Sequence, residues 1–278
     1  MNEPNLVEPT LVDTGFVPEA KALVSGDHAR LLAATLDADP QILEAGLLPL
    51  PWHWTCVLPD VPTRDLGPDG HPRRRDDMAA FAQRMWVGGR VRGVRPLVIG
   101  ETARRTSRVL SAELKEGSTG RFWLITVGHV VTQLGEVRVE EEQDLVLREP
   151  ATPAAPGPDV VTPPEEDWVD ERVVDPVLLF RYSALTFNAH RIHYDQAYAT
   201  SVEGYPDLVV HGPLTATLLC ELARRHSGRP VREIDFRARV PLFANRSFWL
   251  VGHPTDSGAE LTAVRADGQR AMTLTATF

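Results

Sequence analysis

The clearest helical period in the chain runs from Pro213 to His226, PLTATLLCELARRH. Leu214, Leu218, Leu219 and Leu222 share one face, which predicts a helix with a single apolar side. Pro213 suits the first turn, where no backbone N–H is needed, and Gly228 supplies the stop. Residues 232–240, 247–252, 260–265 and 269–278 follow as alternating or β-branched runs and read as strands. One buried helix followed by several strands predicts an α+β unit, with the helix lying on an antiparallel sheet.

The first half repeats this succession less clearly. Asp27 is a candidate cap for a helix carrying Leu31, Leu32, Ala34, Leu36 and Ile42. Residues 106–114 and 137–147 alternate, and RFWLITVGHVV at 121–131 is aromatic and β-branched, so three strands are predicted. Residues 174–182 read as a further apolar strand. Where the second half has its long helix, the first has only AAFAQRMWVGGR, short and ended by glycines. A duplicated architecture is expected, with a degenerate first copy. Residues 148–170 are dense in Pro, Ala and acid, so they read as an extended linker between units 1–147 and 171–278.

The 278 residues allow about two domain-sized units, and two cysteines build neither a disulfide framework nor a cysteine zinc site. A formal charge of −9 argues against a nucleic-acid partner. No apolar run approaches a membrane span, and the acidic start MNEPNLVEP lacks the order of a secretory signal. A soluble cytoplasmic protein is therefore expected. Lys21 and Lys115 are the only lysines among 29 basic residues; the arginine excess reads either as codon bias or as recognition of phosphate and carboxylate.

Candidate chemistry gathers late in the chain, where His190, His193 and His211 lie close in sequence. His211 and Gly212 directly precede the predicted long helix. A helix start presents unpaired N–H groups and partial positive charge, which suits an oxygen gaining negative charge. Glycine there lets a substrate approach. His53, between Trp52 and Trp54, reads as packed and hydrogen-bonded. No Walker or GxGxxG sequence is present, and no third ligand joins His190 and His193, so neither cofactor nor metal is expected.

The segment RYSALTFNAHRIHYDQAYA, with HGPLTATLL downstream, resembles the MaoC-like, (R)-specific enoyl-CoA hydratases. Thr186 falls at that motif's serine, Asn188 at its catalytic aspartate, His190 at its asparagine and Arg191 at its proline. Ile192 falls at its leucine and His193 at its catalytic histidine, with Asp195 and Ala197 following. The spelling FRYSALTFNAHRIHYD, together with PLPWHW, LGPDGHPRRR and RMWVGGR, is similar to the double hot-dog branch. That branch includes mesaconyl-C4-CoA (3-methylfumaryl-CoA) hydratases and mitochondrial 3-hydroxyacyl-thioester dehydratases.

The resemblance implies two hot-dog units, each an antiparallel sheet around a central helix, the first helix being degenerate to make room for a bulky acyl group. It implies water addition to, or removal from, an enoyl thioester of CoA or acyl carrier protein, including branched or dicarboxylic acyl groups. His193 is then the acid–base residue, Gly212 the oxyanion donor and Asn188 a water-orienting group, since an amide exchanges no proton at neutral pH. Asp195 or His190 would orient His193 or share its proton. His211, Arg191 and Tyr194 are candidate substrate contacts. Arg191 or an arginine of the first unit would meet a distal carboxylate, and Arg73, Arg74 and Arg75 would meet CoA phosphates. A monomer suffices, although a homodimer remains an alternative. Asn188 also leaves open a thioesterase and a non-catalytic thioester-binding protein.

Overall fold

The computed structural model describes residues 8–117, 120–150, 156–158, 162 and 164–278. Strand β1 (Glu19–Leu23) leads into helix α1 (Gly26–Leu36), whose cap is Ser25, accepting from the His28 N–H, and not Asp27 as expected. The extended backbone of Ser25 places its hydroxyl over the helix start. Asp27 instead sits in the first turn and pairs with Arg30. Ile42 lies beyond the helix, in a separate 3-10 turn, Pro40–Leu43.

A short ribbon, β2 (Leu47–Leu48) with β4 (Leu97–Val98), flanks β3 (Gln83–Gly93). Three long strands complete the first half: β5 (Thr102–Gly117), β6 (Gly120–Gln133) and β7 (Glu136–Arg148). The second half comprises β8 (Trp168–Val173), α2 (Pro176–Thr186), α3 (Gln196–Ser201), α4 (Gly212–Ser227), β9 (Glu233–Ala238), β10 (Ser247–Pro254), β11 (Gly258–Arg265) and β12 (Arg270–Thr277).

All the strands except β2 and β4 form one antiparallel sheet in the order β1-β5-β6-β7-β3-β9-β12-β11-β10-β8. Each half has the same internal order, and the two join through β3 and β9, from Gly88 opposite Arg237 to Arg92 opposite Glu233. The expected pair of sheets is thus one continuous sheet with a repeated plan. The expected linker, 148–170, overlaps β8 by its last three residues, and 151–155, 159–161 and 163 lie outside the described residues.

Helix α4 matches its expected bounds closely. Leu214, Leu218, Leu219 and Leu222 are buried, and Gly228 ends it in the left-handed region. The strand expected over 174–182 is instead α2. Asp175 accepts from the Leu178 N–H at 2.8 Å, Pro176 opens the first turn, and Leu179, Tyr182 and Ser183 are buried at helical spacing. The remnant helix expected in AAFAQRMWVGGR is absent. Asp76–Met78 is a 3-10 turn, and Gln83 onward is β3, held by ladders to β7 and β9. Among the described residues the first half therefore has no counterpart of α4 over its sheet, and a cavity of about 1180 Å³ extends into that half. No described helix is long and apolar enough to cross a membrane.

Candidate active site

Two loops from opposite halves are docked together beside α4. The Arg191 N–H donates to the Asp69 carbonyl at 3.0 Å, and Arg191 Nη1 donates to the Pro68 carbonyl at 3.1 Å. Gly70 lies between them at φ +88°, and a Cβ there would sit 1.7 Å from the Ala189 carbonyl oxygen. Backbone cannot yield as a side chain does, so Gly70→Ala must part the loops. The expected cost is about 2–3 kcal/mol, or a Tm lower by roughly 4–10 °C. An unchanged melting curve would show that the docking is not required.

The docking lines up four imidazoles. His71 lies 4.3 Å from His190, His190 lies 5.4 Å from His193 edge to face, and His193 stacks on His211 at 3.7 Å. His193 Nδ1 is 2.7 Å from the Val209 carbonyl. A carbonyl only accepts, so Nδ1 carries the proton and Nε2 is the bare nitrogen. Burial pushes His193 down to about 4, against the opposing effect of the Val209 hydrogen bond. Burial first, and then neighbouring charges, hold His71, His190 and His211 well below the usual imidazole range. The row is therefore uncharged near neutral pH, and Nε2 of His193 is the bare nitrogen in it.

Asn188 follows Phe187, which closes α2 in the left-handed region at φ 49°. Its Oδ1 accepts from the His190 N–H at 3.0 Å, which fixes the amide orientation and leaves the NH2 group as donor. Gly212 opens α4, and a Cβ there would have one neighbour within 4 Å, the Trp86 carbonyl oxygen at 3.6 Å. Gly212 lines the cavity at the start of α4, where a helix has backbone N–H groups without intrahelical partners.

His193, Asn188, His190, Gly212, Arg191 and Tyr194, all singled out from the sequence, line this one cavity. The others lie elsewhere. His211 is 1% exposed beneath His193, its Nε2 at 2.9 Å from Ser183 Oγ, so it backs the ring and faces no ligand. Asp195 caps α3 through the Tyr198 N–H at 3.0 Å and binds Arg191 at 2.7 Å.

The arginine run also departs from expectation, because Arg73, Arg74 and Arg75 lie outside the cavity lining. Arg74 is held by Asp69 at 2.8 Å and by the Phe81 and Ala82 carbonyls. Arg75 is held by buried Asp13 at 3.1 Å, and Arg73 is exposed. His53 is packed as expected, with Nε2 at 2.8 Å from Glu141.

His71 and Arg84 line the cavity from the first half, and Ser183 and the Val209 carbonyl fix the rings, yet none was singled out as a site residue. The glycine before His71 was the available signal, since a DGH turn puts the next side chain wherever the turn docks.

The sequence matches the family model for hydroxyacyl-thioester dehydratase type 2 over residues 51–244. The chain is 45% identical over 248 residues to the mesaconyl-C(4)-CoA hydratase of Chloroflexus aurantiacus, covering 87% of this chain and 88% of that protein. Among solved structures, a MaoC-like dehydratase from Phytophthora capsici superposes with TM-score 0.71 at 14% identity, covering 98% of this chain and 97% of that one. A Mycobacterium tuberculosis protein described as a double hotdog fold gives 0.55 at 13% identity, covering 92% of each chain. The repeated strand order, the sequence match and these likenesses agree: the chain belongs to the hydroxyacyl-thioester dehydratase type 2 family and has the MaoC-like double hot-dog fold.

Proposed function

We propose that the protein is a hydro-lyase that reversibly hydrates an enoyl thioester whose acyl group is short, branched and dicarboxylic, of the mesaconyl-C4-CoA kind. The observation that carries this reading is the bare Nε2 of His193, in a ring that lines the same cavity as Gly212 at the start of α4. In hydration, Asn188 holds a water through its amide while Nε2 of His193 takes one of its protons. The hydroxyl oxygen bonds to C3 as the C2–C3 π pair moves toward the thioester carbonyl. The Gly212 N–H and the positive end of α4 stabilise that oxygen. The imidazolium then returns its proton to C2, so that H and OH have added across the double bond. Dehydration reverses each step.

Asp195 is already committed to α3 and Arg191, which leaves His193 to move the proton alone. His190 carries the N–H that orients Asn188. Arg191 and Tyr194 border the cavity as substrate contacts, while Arg73, Arg74 and Arg75 take no part in this reading. The two units, 1–147 and 171–278, divide the work, the second holding the reacting groups and the first the acyl chamber. The similar Chloroflexus protein supports the acyl class, and one chain holds both units, so a monomer is sufficient.

Purified protein mixed with mesaconyl-C4-CoA is expected to lose enoyl absorbance without releasing thiol. Thiol release would make it a thioesterase, and calorimetric binding without turnover would make it a non-catalytic binding protein. Either result overturns the proposal.

A further inference from the structure

One cavity-lining guanidinium near the histidine row lacks a carboxylate of its own. Arg84, on β3, is half-buried on the cavity wall, with Nη1 at 3.3 Å from His71 Nδ1 and its carbon 5.7 Å from the Phe16 ring centre. The nearest opposing carboxylate in its electrostatic surroundings, Asp69, already pairs with Arg74 at 2.8 Å. Arg74 thus holds the carboxylate that Arg84 feels most directly, and Arg84 is left with the ring of His71 as its polar partner. A partly desolvated charge without an ion-pair partner favours a ligand that supplies one.

The chain makes deliberate room for this group. Gly15, at φ +77°, packs so closely that a Cβ would lie 2.4 Å from Arg84 Nη1. Of the other arginines on the cavity wall, Arg148 ends β7 opposite Gln83, and four more are differently placed. Arg191 is engaged by Asp195 and the Pro68 carbonyl, and Arg265 by Asp267. Arg239 is exposed. Arg105 lies over the same Phe16 ring, 5.3 Å from its centre, beside His129 and in the field of Glu141.

Ring contacts connect Arg84 to the reacting groups in short steps: His71 to His190 at 4.3 Å, then His190 to His193 at 5.4 Å. A carboxylate attached at C3 of a bound enoyl group lies beside the carbon that receives water. It therefore falls between the His193 side and the His71 side of the cavity.

We infer that Arg84, positioned by His71, Phe16 and Gly15, is the residue that binds the distal carboxylate of a dicarboxylic enoyl thioester and selects it over a monocarboxylic one. This rests on the hydratase reading above and adds the residue that discriminates. The planar fork gives two parallel N–H bonds to a carboxylate, and that pair also neutralises the partly desolvated charge. A monocarboxylic substrate leaves the charge bare, so selectivity comes from a penalty against the wrong substrate as well as a gain with the right one.

The test compares kcat/KM for mesaconyl-C4-CoA and crotonyl-CoA in the unaltered protein, Arg84→Gln, Arg84→Lys and Arg105→Gln. Taking both rates from one preparation makes their ratio independent of the folded fraction. Arg84→Gln is expected to lower the mesaconyl rate about 100-fold or more while crotonyl hydration changes less than about threefold. Arg84→Lys should recover part of the loss, and Arg105→Gln should leave the ratio near its original value. Equal losses on both substrates, or a ratio that shifts with Arg105→Gln instead, overturn the assignment of Arg84. Failure of the unaltered protein on both substrates would instead refute the hydratase reading itself.

Discussion

Replacing His193 with Ala is expected to lower enoyl-thioester hydration about 1000-fold, within the usual range for a general base, while substrate binding changes little. The Val209 carbonyl accepts from Nδ1, so Nε2 is the one nitrogen of this ring free to take a proton. Asn188 cannot exchange a proton at neutral pH, and Asp195 is committed to α3 and Arg191. Initial rates with mesaconyl-C4-CoA, alongside a melting curve to confirm folding, are the measurement. A folded variant within tenfold of full activity would remove His193 from the reaction.

Acid should unfold the protein earlier than its carboxylates alone would cause. Burial holds both His193 and His129 down at about 4, whereas imidazole in the unfolded chain titrates near 6.5. The unfolded chain therefore binds more protons between those values. The stabilising contribution of each neutral ring is complete above about 6.5 and is lost as pH falls toward 4. The loss is roughly 3 kcal/mol for each ring by linkage, and His71, His190 and His211 act in the same direction.

Set against a typical stability of about 5–15 kcal/mol, this is a large share. The buried Glu141 carboxylate, held near 2 by His53 despite its burial, loses its contribution only at lower pH, so the two windows separate. Urea midpoints at pH 7, 6 and 5 should fall steeply. A flat series would mean that the rings are wet or already charged in the folded protein.

Local pattern revealed the parts of this fold that local pattern decides. Helix α4 was legible because its leucines, its proline and its closing glycine all agree, β6 because it is aromatic and β-branched, and β7 because it alternates. Strand β3 was legible only from Gly88 onward. Its first residues sit in a short stretch set against the long helix of the second half, and they are a strand because β7 and β9 pair with β3 on both sides. Helix α2 was misread because a continuous apolar run fits either state, although its Asp-Pro start held the answer.

The same limit applies to the site. His193, Asn188 and Gly212 sit in one short motif and its neighbouring helix, and could be read together. His71 and Arg84 arrive through a contact between residues 123 positions apart, Arg191 and Pro68, which no local window contains. Arg74 and Arg75 looked like a phosphate clamp because their partners, Asp69 and Asp13, become neighbours only once the turns form.

Joining the two halves through β3 and β9 has a consequence for the growing polypeptide. The first half leaves the ribosome with β3 as a naked edge, and its partner is made only some 140 residues later. An open edge invites pairing with other chains. Arg90 and Arg92 lie along that edge, ion-paired with Glu142, Asp144 and Glu140 of β7, so the nascent half presents a charged border to would-be aggregating neighbours while it waits.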